Sequence, residues 1–396
     1  MQTHKTPTLE LASILEKYLP AYQNLYKISP FHQKILESII HCRTQEMGVH
    51  STKCLNCGAV DIQYNSCRNR HCPKCQQHQK HKWLEERKKE LLPIHYFHLV
   101  FTVPHELNSF FITNKALCYQ LLFNSVWQTI KEFGDNPSWL GAQTGGLALL
   151  HTWGQNLSYH PHIHFIMPSG GLTDDKFEWI STHRKFFAPV WAMARRFRQL
   201  FLEGLWMQRS KLKPSLFNQE LEPIIKSLEN KNWIVFAQTS FADANCVMDY
   251  LGNYTHKIAI SNYRLLKIEN HRVFFSYKDY KDKGTIKVMS LPVFEFIRRF
   301  LDHILPPNFY KIRYFGILSN RYKADNIDHA REALKREGKY LKLKNKQPQK
   351  EDNPDHVPAG CTNTGACKTC GGPTISLERF IRLNLHIKQR EVIKAI

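Results

Sequence analysis

Residues 147–167 read LALLHTWGQNLSYHPHIHFIM, and this stretch decides the fold. Two apolar runs, 147–153 and 163–167, flank the polar, proline-bearing residues 156–161, which predicts a pair of antiparallel strands. Side chains alternate between the two faces of a strand, so His162 and His164 should point to the same face. Two imidazoles one strand step apart can bind one metal ion.

A third ligand for that ion is expected from the same hairpin. Gln155 directly follows the first strand, so its amide oxygen can come level with the two imidazoles. Three protein ligands leave open positions for a substrate phosphate, as a catalytic metal site requires. His151 and His160 are alternative third ligands. The chain holds 21 histidines, so the spacing of two of them is weak evidence on its own.

A second candidate for chemistry is a pair of tyrosines. On the helix predicted at 243–254, Tyr250 and Tyr254 lie at positions i and i+4, on one face. A tyrosine oxygen can attack a phosphodiester and hold the strand as a phosphotyrosine, and a metal ion would stabilise the developing charge. Aromatic pairs at this spacing usually pack in a core, so that interpretation stays open.

The segments around the hairpin indicate an α+β fold with a central antiparallel sheet. Further strands are predicted at 95–103 and 233–238, with a β-hairpin of 272–278 and 285–290 around Lys283-Gly284. Helices are predicted within 7–42 and at 114–133, 189–205 and 292–305. Five regions are expected: N-terminal helices (1–42), a zinc-binding module (43–92), a catalytic domain (93–290), a basic helical region (291–350) and a linker with a CxxC tail (351–396).

Nine of the eleven cysteines fall in two clusters, which without a secretory signal indicates metal binding rather than disulfides. The two CxxC pairs of the first cluster predict one tetrahedral structural zinc site, formed by Cys54, Cys57, Cys72 and Cys75. A second, interleaved zinc site is possible from the remaining donors Cys42, His50, Cys67 and His71. The C-terminal cluster, which has the composition of half a zinc site or of a flexible tail, comprises Cys361, Cys367 and Cys370, with His356 nearby.

The charge of the chain points to a polyanionic partner. Lys and Arg number 55 against 34 Asp and Glu, a net charge of +21, and a chain this basic is typical of nucleic-acid binding. A basic surface kept for solubility is the alternative. The expected contacts in the zinc module are Arg68, Arg70 and Lys74. No apolar run of about 18 residues occurs, so we expect no membrane span and a location in the cytoplasm.

Taken together, five segments resemble the two-tyrosine rolling-circle transposases of bacterial insertion sequences, which are members of the HUH endonuclease superfamily. They are spread over residues 42–320 and are specific as a set. The segments are 64–76 (YNSCRNRHCPKCQ), 97–107 (FHLVFTVPHEL), 151–157 with 160–164 (HTWGQNL, HPHIH), 250–262 (YLGNYTHKIAISN) and 295–300 with 305–306 (EFIRRF, LP).

The resemblance implies a fold and roles for particular residues. It implies an HUH palm, a central antiparallel sheet with the metal on its face and the tyrosine helix across it. His162 and His164 would hold Mg²⁺ or Mn²⁺, with Gln155 favoured over His160 as third ligand, and Tyr254 and Tyr250 would be the nucleophiles. The cysteine module matches the family's zinc-binding domain. Lys257 stands where Arg is expected, which keeps a charge on the DNA but loses a bidentate phosphate contact.

The function implied is a transposase that binds single-stranded element ends and target DNA, in a bacterial cytoplasm and on the nucleoid when bound. It would leave a 5′-phosphotyrosine and a free 3′-hydroxyl. A plasmid-type replication initiator or relaxase-like nickase would use the same chemistry. A non-catalytic zinc protein that binds nucleic acid, and a zinc hydrolase using the two histidines, are alternatives from other classes. The sequence does not determine the oligomeric state.

Overall fold

A computed structural model describes residues 9–75, 83–84, 86–182, 186–214, 220–241, 258–338 and 366–377. The chain divides into two compact units. The first unit comprises 1–81, 260–298 and 352–396, and the second comprises 82–259 and 299–351. The predicted tyrosine helix, with Tyr250, Tyr254 and Lys257, lies outside the described residues, as do His356 and Cys361.

The described elements mix helices with antiparallel sheets, which confirms the predicted α+β class. The helices are α1 (Leu11–Leu25), α2 (Pro30–Ile40), α3 (Asn108–Thr113), α4 (Lys115–Asp135), α5 (Val190–Met207), α6 (Leu221–Glu229), α7 (Val293–Asp302) and α8 (Lys323–Arg336). The strands are β1 (Val49–Cys54), β2 (Val60–Tyr64), β3 (Tyr96–Thr102), β4 (Gly145–Trp153), β5 (Tyr159–Pro168), β6 (Gly170–Leu172), β7 (Trp179–Ser181), β8 (Ile234–Phe241), β9 (Leu265–Glu269), β10 (Arg272–Asp279), β11 (Thr285–Pro292), β12 (Ile312–Gly316) and β13 (Thr374–Ser376).

The second unit is built on a five-stranded antiparallel sheet in the order β12-β4-β5-β3-β8. The predicted hairpin forms its centre as β4 and β5, but β5 begins at Tyr159, four residues earlier than expected. The register shifts between His151 and Trp153, opposite Pro161. A proline is tolerated inside a sheet at such an irregularity, so the connection shortens from the predicted 156–161 to 154–158.

The two faces of this sheet differ. On one face, Leu99, Ile163 and Phe165 are fully buried among apolar side chains of α4 and α5. This face is packed so closely that a Cβ on Gly146 would lie 2.4 Å from the ring of Phe165. Burial on this scale is the main stabilising contribution to the unit.

The opposite face is shared between a small apolar cluster and a group of histidines. Leu149 and Ile166 belong to the cluster, together with Ile327 and Leu334 of α8. The histidines follow the same alternation along β3, β4 and β5. Helix α8 and strand β12 come from the basic stretch that was predicted to be helical. The short strand was not predicted, because every residue of β12 is half-buried and the strand has no alternating apolar pattern.

The first unit contains α1 and α2 and two three-stranded sheets, β13-β1-β2 and β11-β10-β9. The predicted apolar stripe of α1 is buried, including Leu11 and Ile14. The predicted hairpin of β10 and β11 forms around Gly284, whose φ of 81° is the left-handed conformation that glycine adopts without strain. No helix in the described part of the chain is both long and apolar enough to cross a membrane.

Candidate metal centres

Four thiols of the first unit form a compact group, here called the first thiol group: Cys42, Cys67, Cys72 and Cys75. Their sulfurs all lie within 4.8 Å of one another. The sulfur of Cys75 is 3.5 Å from that of Cys42 and 3.6 Å from that of Cys67. Sulfurs bound at 2.3 Å to a tetrahedral zinc ion would be about 3.8 Å apart. The donor set and its spacing therefore fit structural zinc.

Hydrogen bonding within this group lowers the pKa of two of its thiols and raises the pKa of the other two, Cys67 and Cys72. Hydrogen bonding, chiefly with Cys67, lowers the pKa of Cys42 to about 7. The pKa of Cys75 is also lowered, first of all by Cys42. The thiolate is the species that binds metal, so two sulfurs of the group are held in or near that form at neutral pH.

The structure corrects the predicted composition of the zinc site, because Cys54 and Cys57 do not join Cys72 and Cys75. Cys42 precedes β1 and Cys67 follows β2, so both lie at the open end of that hairpin. Cys54 and Cys57 lie at its turn, where the Cys54 backbone N–H bonds the Ala59 carbonyl at 2.9 Å. Five strand steps separate the two ends by roughly 17 Å.

The two histidines predicted for an interleaved second site, His50 and His71, belong to neither thiol group. The Nδ1 atom of His50 lies 2.9 Å from Oδ1 of Asn65. The backbone N–H of His71 donates to Oδ1 of Asn69 at 2.9 Å. The described residues do form two groups whose ligands alternate along the chain, but all of these ligands are cysteines.

The second thiol group consists of Cys54, Cys57, Cys367 and Cys370, whose sulfurs again lie within 4.8 Å of one another. It unites the turn of the β1–β2 hairpin with the C-terminal CxxC, which was predicted as half a site. Cys361, the other cysteine of that predicted cluster, lies outside the described residues.

The basic residues of the zinc module have different surroundings. Arg68 is exposed and has a φ of 53°, whereas Arg70 is half-buried. Lys74 forms an ion pair with Glu10 at 2.7 Å and donates to the Cys42 carbonyl at 3.4 Å. Lys74 therefore supports the first thiol group, and contact with DNA stays a prediction for all three residues.

On the sheet of the second unit, three histidines form what we call the histidine centre: His151, His162 and His164. A ring nitrogen of each lies within 4.8 Å of the others. His151 is directly opposite His162 in the β4–β5 register, and neighbours at such a position have Cβ atoms about 5 Å apart. His164 follows on the same face. Three convergent imidazoles can bind a divalent cation.

The third member of this centre is His151, one of the alternatives weighed against Gln155. Gln155 lies beyond the end of β4, in the connection 154–158, and its carboxamide oxygen is buried. The bulge between His151 and Trp153 shifts the end of β4 relative to β5. Gln155 as a ligand stays a prediction.

The ring orientations are fixed by partners behind the centre. Nδ1 of His162 lies 2.7 Å from the His160 carbonyl and donates to it. Nδ1 of His164 lies 3.0 Å from Nε2 of His98 on β3. Both rings would therefore ligate through Nε2, because metal-bound histidines are oriented by a bond at their other nitrogen. His98 was not predicted, although it lies in a predicted strand and shares the alternation of the histidines.

Burial keeps His162 neutral. Desolvation lowers the pKa of His162 to about 3, with a smaller contribution from His160, and His151 and His164 are also buried. Neutral imidazole is the form that binds metal. A set of three nitrogens suits Mn²⁺ or Zn²⁺ better than Mg²⁺, which prefers oxygen ligands.

A buried polar network on the other side of the hairpin holds the connection 154–158 in place. The imidazole of His303 lies 3.3 Å from the Thr152 hydroxyl through Nδ1 and 3.3 Å from the Leu157 carbonyl through Nε2. Arg299 donates to the Asn156 carbonyl at 3.2 Å. These contacts hold the segment that carries Gln155 in place.

A half-buried lysine lies beside this network. Lys115, at the start of α4, donates to the Asp302 and Ile304 carbonyls at 2.6 and 3.1 Å. The Asp302 carbonyl is the last of α7, at the negative end of the helix dipole. Next to it, the hydroxyls of Tyr119 and Tyr159 lie 2.6 Å apart. Lys115 thus links α4 to the helix end that supports His303.

Comparison with known proteins adds independent findings. Residues 145–326 match a family model described as "Putative transposase", and residues 14–103 match one described as "Transposase zinc-binding domain". The chain is 42% identical over 338 residues to "Putative transposase y4qJ" of Sinorhizobium fredii, covering 82% of this chain and 84% of that protein. It is 27% identical over 309 residues to "Transposase for insertion sequence element IS801" of Pseudomonas savastanoi pv. phaseolicola, covering 75% and 72%. No solved structure matches the chain.

Proposed function

The chain belongs to the IS91-type transposases of the HUH rolling-circle family, and we propose that it cuts and rejoins single-stranded DNA through phosphotyrosine intermediates at the histidine centre. Transposases bind DNA, and structural zinc is supported by the zinc-binding domain and the thiol groups. The observation that carries the proposal is the convergence of His151, His162 and His164 on one face of the central sheet.

The reaction that we propose is a pair of transesterifications. The phenol oxygen of Tyr254 or Tyr250 attacks the scissile phosphorus and loses its proton to solvent. The bond from phosphorus to the 3′-oxygen breaks, which leaves a 5′-phosphotyrosine and a free 3′-hydroxyl. Attack by the 3′-hydroxyl of another strand restores a phosphodiester and the tyrosine. The number of phosphoester bonds is unchanged, so rejoining requires no ATP.

The histidines have two tasks in this proposal. His151, His162 and His164 would hold a divalent cation, and their nitrogen donors suit Mn²⁺ or Zn²⁺ better than Mg²⁺. Such an ion, when bound, supplies positive charge to the phosphate oxygens as negative charge develops there. His98 and the His160 carbonyl keep the rings of His164 and His162 oriented, so that little reorganisation is needed when the ion binds.

The zinc module and its basic residues would supply DNA affinity. Arg68 is exposed on this module, and exposed guanidinium groups bind phosphates through two parallel hydrogen bonds. Lys257, three residues after Tyr254, would place a charge close to the scissile strand. Binding through such contacts is expected to weaken steeply with salt.

A covalent-adduct assay tests the proposal. The protein is mixed with labelled single-stranded oligonucleotides that carry the ends of the element, in Mn²⁺ or Mg²⁺, and denaturant-resistant complexes are mapped by mass spectrometry. We expect an adduct on Tyr254 or Tyr250 that requires metal, is lost in the Tyr250→Phe/Tyr254→Phe double variant and is strongly reduced in His162→Ala. Tyr310→Phe is the control, because Tyr310 is a surface residue, 78% exposed.

Other outcomes assign other functions. Tight, salt-sensitive binding without any adduct would make the chain a non-catalytic DNA-binding protein. Hydrolysis that persists in the double tyrosine variant would indicate a metal-dependent hydrolase. An adduct that rejoins its own strand, but never transfers it to a target molecule, would indicate a replication initiator rather than strand transfer in transposition.

A further inference from the structure

The second thiol group joins parts of the chain that are more than 300 residues apart. The sulfur of Cys54 lies 3.5 Å from that of Cys370, and the sulfur of Cys57 lies 3.6 Å from that of Cys367. A disulfide would require about 2.05 Å, whereas the edges of a tetrahedral zinc–thiolate site are about 3.8 Å. The spacing fits a shared metal ion and excludes two disulfides.

The backbone around the four sulfurs is built as two matching metal knuckles. Both have the sequence Cys-x-x-Cys-Gly, with Gly58 at a φ of 73° and Gly371 at 71°. In each knuckle the glycine N–H donates to the carbonyl of the first cysteine, at 3.1 and 2.8 Å. Only glycine adopts this conformation without strain, so both sequences are suited to the same turn.

Backbone N–H groups also point at the sulfurs. The N–H of Cys57 lies 3.5 Å from the Cys54 sulfur, and that of Thr369 lies 3.4 Å from the Cys367 sulfur. The N–H of Cys370, followed by that of Thr369, lowers the pKa of Cys367 to about 6. Hydrogen-bond donors of this kind stabilise thiolates that bind metal.

Contacts beyond the sulfurs hold the two knuckles together. Strand β13 pairs with β1, with Cys54 opposite Thr374. The N–H of Leu55 donates to the Pro373 carbonyl at 2.9 Å, and Lys368 forms an ion pair with Asp61 at 2.9 Å. The C-terminal segment is therefore the third strand of a sheet whose other two strands form the N-terminal hairpin.

We propose that the second thiol group is a structural Zn²⁺ site that fastens the C-terminal segment to the N-terminal zinc module. The two ligand pairs are 310 to 316 positions apart in sequence, so the ion closes a loop that contains most of the chain. The zinc module of the first unit is then assembled from two segments that lie near opposite ends of the sequence. This inference does not depend on the proposed reaction.

Zinc stoichiometry distinguishes this arrangement from the one predicted by sequence. Elemental analysis of the full chain should give two zinc ions when every variant also carries His162→Ala, which removes a ligand of the histidine centre. Cys367→Ser/Cys370→Ser should retain one. Cys54→Ser/Cys367→Ser removes two ligands of one site and should also retain one, whereas Cys54→Ser/Cys72→Ser should retain none. Cys118→Ser is the control, because Cys118 is buried in the core of the second unit and should leave both ions bound.

A second measurement covers variants that fail to fold. A specific protease site is inserted between residues 349 and 350 of the full chain, and the chain is cut under native conditions. The C-terminal fragment should stay bound until a chelator is added, and Cys370→His, which keeps a zinc ligand, should retain it better than Cys370→Ser. One zinc ion per chain, or a fragment that leaves the protein at once with zinc still bound, would overturn the proposal.

Discussion

Replacing His98 with alanine should weaken the binding of Mn²⁺ at the histidine centre by about 10- to 100-fold. His98 is only 4% exposed, and its Nε2 lies 3.0 Å from Nδ1 of His164. Without that partner, the His164 ring can adopt either tautomer and can rotate away from the position that ligates. The expected loss corresponds to about 1.4 to 2.7 kcal/mol of binding free energy.

The lower half of this range is expected, because only one of the two oriented rings is affected. His162 keeps its 2.7 Å bond to the His160 carbonyl in the variant. His98→Gln should recover most of the affinity, since its amide group can reach the place of Nε2 and still bond His164. His162→Ala removes a ligand and should lose more affinity than His98→Ala.

The assay is a titration with Mn²⁺, followed by the electron paramagnetic resonance of the free ion, on protein that retains its zinc. Thermal unfolding of each variant is measured in parallel, so that loss of the fold is not mistaken for loss of affinity. His105→Ala serves as the matched control, because its imidazole is 81% exposed. If His98→Ala bound Mn²⁺ as tightly as His105→Ala, the reasoning about ring orientation would be wrong.

Three further predictions concern stability and DNA binding. Lys115→Met should lower the free energy of unfolding by about 1 to 3 kcal/mol, since it removes the hydrogen bonds from Lys115 to the Asp302 and Ile304 carbonyls. The exposed Lys131→Met should change it by under about 1 kcal/mol in denaturant titrations. Burial lowers the pKa of Lys115 to about 8, so the unfolded chain binds more protons between pH 8 and about 10.4 and stability rises with pH there; Lys115→Met should lose that part of the slope. Phe165→Ala should cost about 3 to 5 kcal/mol by opening a core cavity, and an effect as small as that of the exposed Phe177→Ala would contradict the packing described here. Arg68→Ala should reduce the salt dependence of DNA binding by about one phosphate contact in a filter-binding series, and an unchanged slope would remove Arg68 from the interface.

The alternation of side chains along a strand was enough to predict the pair His162 and His164, but not the third member of the centre. Periodicity places residues on a face and says nothing about which residue of the neighbouring strand lies opposite. That depends on register, and here a bulge between His151 and Trp153 sets it. The contact of His98 with His164 was harder still to predict, because it also depends on β3 lying beside β5 in the sheet. The sequence therefore predicts which face of the sheet the histidines lie on, but it does not predict which of them bind the metal ion together.

The supporting network under the hairpin was beyond prediction for a different reason. Lys115 and His303 lie in segments without any motif, and their roles depend on buried contacts with backbone carbonyls. Any residue offers a carbonyl, so nothing in the composition identifies the acceptor. Buried polar groups must nevertheless find partners, which makes such residues costly to change.

The cysteines show where local spacing stops being informative. A CxxC spacing determines that two sulfurs share one knuckle, because both lie on a single turn of the backbone. It does not determine which two knuckles share an ion. The knuckles at Cys54 and Cys72 are close in sequence, yet the length of β1 and β2 holds them roughly 17 Å apart. The partner of Cys54 comes instead from β13, which reaches β1 only when the chain closes on itself. A closure over such a distance in sequence is entropically only slightly more costly than a short one, so sequence proximity was a poor guide to the ligand set.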